Sequence, residues 1–191
     1  MGKSEIRKYI LNIRNNLNNT VVNEKSKIII NKLISLEEFK NSKTVFIYMD
    51  FRNEVRTGEI INFLLEQNKR VVLPWTDTAN TEIVPVEIKD MENDLITSSF
   101  GYLEPKKENV IEVKVEEIDL IIVPGVAFDK RFNRIGFGKG YYDRILNRKR
   151  KNTLAIAIAY EFQVLEEIPY EEHDIKMDAI ITEENMYRKE D

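Results

Sequence analysis

The residues best suited to chemistry lie in one short stretch, residues 134–143, where glycine alternates with other residues. Gly136, Gly138 and Gly140 occupy every second position, and Lys139 stands between the last two. Glycine permits positive φ and lets backbone N–H groups approach a ligand without an intervening Cβ. Successive exposed N–H groups that lead into a helix form an anion site. The stretch therefore predicts a loop that binds phosphate groups.

The charges in this loop support the prediction, although no common phosphate motif matches. Arg134 and Lys139 provide the bidentate and the mobile positive charge that triphosphates attract. One residue rather than two separates the last two glycines, which excludes the dinucleotide fingerprint. Gly140 follows Lys139 where a Walker A loop has Ser or Thr. A tight turn between a strand and a helix is the simpler alternative. This alternative is less favoured because two cations, two tyrosines and Asp143 occur in the same stretch.

Asp143 is predicted to lie in the first turn of the helix that follows the loop. A carboxylate there can stabilise the positive end of the helix dipole. It can also hold Mg²⁺, which proteins usually bind through one or two carboxylates together with substrate phosphates. The residues themselves leave both interpretations open.

Other polar residues are candidates for a binding site, although an ordinary surface position would also explain each of them. Lys3 and Arg7 lie one helical turn apart and share a face of the helix. Such a pair more often forms a solvated basic face than a binding site. Arg14 lies near the same face and leaves the same two interpretations open. Glu54 follows a predicted strand, where open α/β sheets bind ligands, but an ordinary surface acid is equally consistent with its position. The one histidine, His173, argues against a histidine metal cluster.

Strands and helices are predicted to alternate along the chain. Apolar residues at helical spacing predict helices over residues 4–17, 23–36, 59–67 and 141–148. Short apolar runs predict strands over residues 44–49, 70–74, 82–88, 120–124, 154–159 and 179–182. Because these strands are apolar on both faces, we predict an α/β fold: a mostly parallel sheet with helices on both faces, a Rossmann-like three-layer sandwich.

Three finer predictions accompany this fold. Thr57 is expected to cap the helix over residues 59–67. Residues 82–88 contain Pro85 and are expected to form an edge strand. Residues 89–117 are polar and are expected to form a long excursion with little core. Asp174 and Asp178 bracket the entry to the last strand, where an acid can face a cleft.

Composition narrows the class of protein. The 191 residues carry a formal net charge of −4, with 29 basic and 33 acidic residues, so a general nucleic-acid binder is not expected. The chain has no cysteine, which excludes disulfides, thiolate metal sites and a cysteine nucleophile. Its charged first residues do not fit a signal peptide, and no apolar run is long enough to cross a bilayer. We expect one domain over residues 1–191, a cytoplasmic location, no membrane partner and a monomer.

The motifs together resemble the 5-formyltetrahydrofolate cyclo-ligase family, also called methenyltetrahydrofolate synthetases. The resemblance rests on PGVAFDKRFNRIGFGKGYYDRIL at residues 124–146, on the pair Lys3 and Arg7, on NEVRT at residues 53–57, and on HDIKMDAIIT at residues 173–182. These segments occur in the family's order and span nearly the whole chain.

The resemblance implies roles for individual residues. It implies an ATP site formed by Lys3, Ser4, Glu5, Ile6, Arg7, Arg134, Ile135, Gly136, Phe137, Gly138, Lys139, Gly140, Tyr141 and Tyr142. It implies folate contacts from Met49, Glu54, Phe137, Gly138, Lys139, Gly140 and Tyr141. Asp143 and Asp178 resemble the ligands of Mg²⁺, and Lys139, Arg134 and Tyr142 are the expected catalytic residues.

The implied reaction is the ATP- and Mg²⁺-dependent conversion of 5-formyltetrahydrofolate to 5,10-methenyltetrahydrofolate, with release of ADP and phosphate. Transfer of the γ-phosphate to the formyl oxygen would make that oxygen a good leaving group. Such a step needs charge neutralisation and alignment more than a strong base. A small-molecule kinase that uses the same loop would instead release a stable phosphorylated product. A non-catalytic nucleotide-binding module would bind ATP without consuming it.

Overall fold

The computed structural model describes residues 1–80, 82–98, 101–109, 111–172 and 174–189. The helices are α1 (Lys3–Asn15), α2 (Asn19–Ser35), α3 (Glu37–Asn41), α4 (Gly58–Glu66), α5 (Met91–Asp94) and α6 (Tyr141–Arg148). The strands are β1 (Thr44–Phe46), β2 (Arg70–Asp77), β3 (Glu82–Ile88), β4 (Leu95–Thr97), β5 (Leu103–Pro105), β6 (Ile111–Glu112), β7 (Leu120–Val123), β8 (Ala127–Asp129), β9 (Arg134–Ile135), β10 (Leu154–Ile158), β11 (Val164–Leu165), β12 (Ala179–Ile181) and β13 (Met186–Arg188).

The described part of the chain forms one large sheet with the order β13-β12-β10-β7-β1-β2-β3-β6. The five central strands, from β12 to β2, are parallel to one another. The antiparallel pairs lie towards the two edges, where β13 pairs with β12, β3 with β2, and β6 with β3. The predicted mostly parallel sheet is confirmed.

Alternate residues of the central strands pack against helices on opposite faces of this sheet. Val45, Val71 and Ile122 belong to one buried cluster together with α2, α3 and α4. Phe46 and Ile121 belong to a second cluster, which contains buried residues of α6 and of residues 113–118. Since each strand alternates its side chains between the two faces, its apolar run is explained by burial on both sides. The helices therefore flank the sheet in three layers, as predicted.

Helix α1 packs outside this sandwich, against a small second sheet with the order β11-β8-β9. Ile6 and Ile10 are buried in a third cluster with Val126, Ala127 and Ile135. Strands β8 and β9 are the chain segment that leads from β7 to the glycine loop. This packing brings the first turn of α1 beside that loop.

The apolar spacing of the sequence predicts a buried stripe of Ile6, Tyr9, Ile10, Ile13 and Leu17 on α1, and the observed stripe differs from it. Ile6, Ile10 and Arg14 are buried at four-residue spacing, whereas Tyr9 is 56% exposed. Arg14 therefore lies on the inner face of the helix and not on a basic outer face. Its role is described with the site.

Two local predictions near helix starts need correction. Helix α2 begins at Asn19, four residues earlier than predicted, because the side chain of Asn18 accepts a hydrogen bond from Val21 N at 2.9 Å. Thr57 occupies the N-cap position of α4 but makes no side-chain cap. Its hydroxyl instead donates to the Tyr48 carbonyl at 2.8 Å and accepts from Asp50 N at 3.1 Å. Thr57 thus fastens the segment after β1.

The region beyond β2 is more ordered than its polar sequence suggested. Strand β3 is not the edge strand, because Val86 and Glu87 pair with β6 outside it. Strands β4 and β5 form a separate antiparallel pair. Val113 and Val115 are 1% exposed and belong to the core on the α6 face. The expectation that residues 89–117 contribute little core was therefore wrong.

The sheet reverses its winding between β1 and β7. From β1 the chain proceeds outward through β2, and from β7 it proceeds in the other direction through β10 and β12. In open α/β sheets, ligands bind at such a switch point, beyond the carboxyl ends of the strands. Residues 47–57 follow β1 there, and Pro124 follows β7. Among the described residues, no helix has the length and apolar character that crossing a bilayer requires.

Candidate functional site

Two clefts adjoin at this switch point. The cationic cleft, of about 270 Å³, is lined by Lys3, Arg7, Pro124, residues 134–143, Glu171 and Asp174. The aromatic cleft, of about 410 Å³, is lined by Tyr48, Met49, Phe51, Arg52, Glu54, Pro74, Thr76, Thr78, Ile83, Tyr102, Leu103, Pro124, Phe137, Lys139, Tyr141 and Tyr142. Five residues line both clefts: Pro124, Phe137, Lys139, Tyr141 and Tyr142. The glycine loop is therefore the wall between a charged cleft and an aromatic one.

The backbone of the loop requires its glycines. Gly138 has φ +95° and Gly140 has φ +67°, values that side-chain-bearing residues rarely adopt. A Cβ at Gly136 would lie 2.8 Å from Arg134 Nη1, and one at Gly138 would lie 3.6 Å from Arg7 Cζ. Gly140 is the N-cap of α6. The loop thus leads directly into a helix N-terminus, with cationic side chains packed against its backbone.

Arg134 and Asp143 connect the two ends of the loop. Arg134 Nη2 donates to Asp143 Oδ1 at 2.8 Å, and its guanidinium lies 5.7 Å from the centre of the Tyr142 ring. The Arg134 side chain is nearly buried, whereas about a quarter of the Asp143 side chain is exposed. Asp143 therefore presents a carboxylate edge to the cationic cleft at the start of α6.

Tyr142 contributes a hydroxyl that is buried without a hydrogen-bond partner in the described part of the protein. Burial raises the pKa of this hydroxyl well above its ordinary value, and the charge of Glu54 raises it further. The group is therefore a neutral donor. Its ring packs edge-on against Phe46, with 6.0 Å between the ring centres.

The first turn of α1 supplies two cations on the opposite side of the cleft. Arg7 Nε donates to the Gly136 carbonyl at 2.7 Å, which fastens the loop to the helix. Lys3 Nζ donates to Asp174 Oδ2 at 2.7 Å and to Glu171 Oε1 at 3.1 Å. Burial lowers the pKa of Lys3, but the hydrogen bonds to these two acids outweigh it and raise the pKa overall. Both cations of the sequence pair therefore lie in the cleft.

The three residues between Lys3 and Arg7 do not lie in the cationic cleft. Ser4 and Glu5 are exposed, and Glu5 Oε2 accepts a hydrogen bond from Gly2 N at 2.8 Å. Ile6 is 3% exposed and packs in the core beneath α1. None of the three lines the cleft, because consecutive residues of a helix point in different directions. The implied nucleotide contacts of these three residues are not supported by the geometry.

Lys139 lies at the exposed centre of the wall. Among the ion pairs of the described residues, none includes its ammonium group. Its carbonyl accepts a hydrogen bond from Arg144 at 3.4 Å. The Lys139 side chain can therefore reach a ligand in either cleft without breaking an ion pair.

Glu54 and Met49, which follow β1, line the aromatic cleft. Glu54 is 8% exposed. Burial raises the pKa of its carboxyl to about 7, although Arg14 and the Phe51 N–H lower it. The Arg14 guanidinium lies 3.8 Å from Glu54 Oε1. The sequence pattern did not reveal Arg14 as part of this site.

Asp178 does not join Asp143. It precedes β12, whereas Asp143 follows the loop beyond the carboxyl end of β7, and these strands are parallel to β10 between them. Asp178 Oδ2 accepts a hydrogen bond from Ala155 N at 2.7 Å, near the start of β10. A strand of five residues spans roughly 15 Å, so the structure does not bring together the two residues that resemble the ligands of Mg²⁺. Asp174 is the acid of that segment that lines the cationic cleft.

The donor set in the cationic cleft suits a hard cation shared with a phosphate ligand. The residues that the structure describes contain no cluster of three or more acidic, histidine or cysteine side chains arranged for a metal ion. Mg²⁺ usually takes only one or two carboxylates and completes its shell with phosphate oxygens and water. Asp143 and Asp174 supply that number. His173 lies outside the described residues.

Comparisons with known proteins point to one family. The family model described as the 5-formyltetrahydrofolate cyclo-ligase family matches residues 1–183. A Schizosaccharomyces pombe protein named probable 5-formyltetrahydrofolate cyclo-ligase is 30% identical over an alignment of 202 positions, which covers 98% of each chain. The NMR structure of Aquifex aeolicus 5,10-methenyltetrahydrofolate synthetase has 39% identity and a TM-score of 0.85, and covers 98% of this chain and 93% of that one. The Mycoplasma pneumoniae 5,10-methenyltetrahydrofolate synthetase has 29% identity and a TM-score of 0.79, and covers 96% and 99%.

Proposed function

This chain belongs to the 5-formyltetrahydrofolate cyclo-ligase family, and on that premise we propose that it converts 5-formyltetrahydrofolate to 5,10-methenyltetrahydrofolate with consumption of ATP. The single observation that supports this proposal best is the glycine loop shared by the two clefts. A ligand phosphate in the cationic cleft and a flat ring in the aromatic cleft would meet across that wall. Phosphoryl transfer between two ligands needs such a meeting point.

The nucleotide is proposed to occupy the cationic cleft. Lys3, Arg7 and Lys139 line it and supply the positive charge for the phosphates, and Arg134, also in its lining, pairs with Asp143. Backbone N–H groups at the start of α6 add the helix dipole. Asp143 and Asp174 would hold Mg²⁺, which neutralises charge on the phosphates when it is bound.

The folate is proposed to occupy the aromatic cleft. Met49, Phe51 and Tyr102 provide apolar and aromatic surface for a flat pterin ring. Glu54 offers a carboxylate at the inner end of the cleft, suited to adjacent N–H donors of the ring. The Tyr142 hydroxyl, neutral and without a partner among the described residues, can donate a hydrogen bond to a ligand oxygen.

The proposed chemistry has two steps. The formyl oxygen attacks the γ-phosphorus, an O–P bond forms, and the bond to the β-phosphate oxygen breaks with release of ADP. N10 of the folate then attacks the activated carbon, loses its proton, and the C–O bond breaks with release of phosphate. Lys139 lies between the two clefts, where negative charge accumulates in the first step, so stabilisation of that charge is its proposed role.

The test is a spectroscopic assay with omissions. The protein is mixed with 5-formyltetrahydrofolate, Mg²⁺ and ATP, and the methenyl absorbance band and phosphate release are followed together. We expect the band only when all components are present, with one phosphate released for each methenyl product. A phosphorylated folate without the band would show a kinase instead, and ATP binding without consumption would show a nucleotide-binding module. Either result would overturn the proposal.

A further inference from the structure

Arg14 contacts three of the chain segments around the aromatic cleft. Its Nη1 lies 3.5 Å from the Gly125 carbonyl, which follows β7, and 3.8 Å from Glu54 Oε1, which follows β1. Its guanidinium lies 5.6 Å from the centre of the Phe137 ring, in the glycine loop. Helix α1 places this guanidinium behind the cleft, because the buried stripe of the helix ends at Arg14.

Burial of this guanidinium is unfavourable for stability alone. Arg14 is 1% exposed, and its Nε and Nη2 atoms have no hydrogen-bond partner in the described part of the chain. A buried charge is costly unless it is fully paired, and an apolar side chain at such a position is often as stable or more so. The carboxylate beside it is 8% exposed. The burial of Arg14 beside Glu54 therefore suggests that the function of the site, and not the stability of the fold, requires this pair.

We propose that Arg14 is a positioning residue, which holds the Glu54 carboxylate as an oriented anion at the inner end of the aromatic cleft. The inference rests on the proposed function and adds a determinant of substrate specificity to it. An ionised, fixed carboxylate selects a flat ligand that presents adjacent N–H donors and rejects analogues without them. Arg14 itself does not line the cleft. It acts through Glu54 on the substrate and through Phe137 on the loop.

The charge state of Glu54 depends on several neighbours. Asp50, in the same loop, raises its pKa, and Arg14, on α1, lowers it. Tyr48 and Tyr142 interact electrostatically with it as well. Arg52 and Lys139 line the same cleft. Among these groups Arg14 is the cation whose removal is expected to raise the pKa of Glu54, so the Glu54 anion would require a more alkaline solution.

The test compares Arg14→Met, Arg14→Lys and a control, Ile10→Val, which removes one buried methyl group on the same helix face away from Glu54. Steady-state kinetics with 5-formyltetrahydrofolate and ATP are measured from pH 6 to 9, with thermal unfolding of each variant. For Arg14→Met we expect KM for the folate to rise by about 10- to 100-fold at neutral pH. KM for ATP and kcat should change much less. The acid limb of kcat/KM should move to higher pH.

Arg14→Lys keeps the positive charge, so its acid limb should stay near that of the wild type while KM rises less. It keeps the inference testable should Arg14→Met fail to fold. Ile10→Val should leave both constants and the pH profile unchanged. An unshifted acid limb in Arg14→Met, or an equal loss in KM for both substrates and in kcat, would overturn the positioning role. Absence of activity in the wild-type protein would instead contradict the proposed function itself.

Discussion

Arg134 and Asp143 form an ion pair across the mouth of the glycine loop, with 2.8 Å between Nη2 and Oδ1. The two residues are nine positions apart and are joined by the three glycines of the loop. The pair balances a cation and an acid that both face the cationic cleft. If Asp143 binds Mg²⁺, as proposed, one of its oxygens is available while the other remains paired.

Asp143→Asn tests this dual use of the carboxylate. We expect the Mg²⁺ concentration needed for half-maximal activity to rise by at least about tenfold, because a neutral amide is a poorer ligand for a hard cation. Titration of activity with Mg²⁺ at saturating ATP measures the effect. A loss of kcat that excess Mg²⁺ does not relieve, with an unchanged half-maximal concentration, would contradict it.

Asp174→Ala and Asp178→Ala form a matched pair, four residues apart. Asp174 lines the cationic cleft, so its removal should weaken activation by Mg²⁺ and ATP. Asp178 accepts a hydrogen bond from the buried Ala155 N–H, so its removal should lower the free energy of unfolding by about 1–3 kcal/mol. The KM for ATP should be unchanged in Asp178→Ala. The reverse pattern would restore Asp178 as the metal ligand.

Gly138→Ala is expected to raise the KM for ATP by about tenfold, because alanine at φ +95° costs about 1–3 kcal/mol and displaces the loop. Gly58→Ala is the control. Gly58 begins α4, has no strained φ, and an added Cβ meets no atom within 4 Å. That variant should be unchanged in kinetics and more stable by about 0.4–1 kcal/mol. Equal kinetics for both variants would show that the loop tolerates the change.

Lys139→Ala is expected to lower kcat by roughly 100-fold or more, since it removes a charge proposed to act on the phosphoryl group in transit. The KM for the folate should change far less. The exposed Lys151, in the turn before β10, provides a control of equal charge. A near-normal kcat in Lys139→Ala would remove this residue from the catalytic group.

Folate binding is expected to weaken as the pH falls below about 7, the pKa to which burial raises Glu54. The carboxylate accepts hydrogen bonds from the pterin only after it loses its proton, so kcat/KM for the folate should fall on the acid side. Glu54→Gln should abolish this limb and lower kcat/KM throughout.

The free energy of unfolding should depend on pH in the opposite direction. Protonation of Glu54 favours the folded state at low pH, and this contribution is lost as the pH rises from 4.5 through about 7. For the wild-type protein, a profile of kcat/KM for the folate that is flat between pH 6 and 8 would exclude Glu54 as the titrating group.

Much of the fold could be predicted from local pattern. The fully apolar strands β7 and β10 lie in the centre of the sheet because both of their faces are covered. The glycine loop was found because backbone freedom and charge can be seen in the sequence, whereas Glu54 was singled out only by the family resemblance. The cleft at the switch point follows from the strand order, which a single sequence shows only indirectly.

The errors about individual side chains share one physical cause: side-chain direction depends on tertiary packing. Asp174 and Asp178 are both aspartates, and only the path of the chain into β12 places one in the cleft and the other at the far edge of the sheet. Thr57 has the right type and place for a cap, but Tyr48 and Asp50 offer its hydroxyl better partners. The sequence left open whether Arg14 lies on a solvated face, since periodicity cannot identify a buried cation.

The wall of five residues shared by the two clefts has a thermodynamic consequence. Any ligand that orders this wall from one side changes the free energy of binding on the other side. Linkage requires the effect to be reciprocal, so the factor by which the first ligand alters the affinity of the second must equal the factor in the other direction. Phe137, which belongs to this wall and is 55% exposed, has side-chain freedom to lose when a ligand binds. Synergistic binding of the two substrates would therefore arise from the loop itself, without any movement of domains.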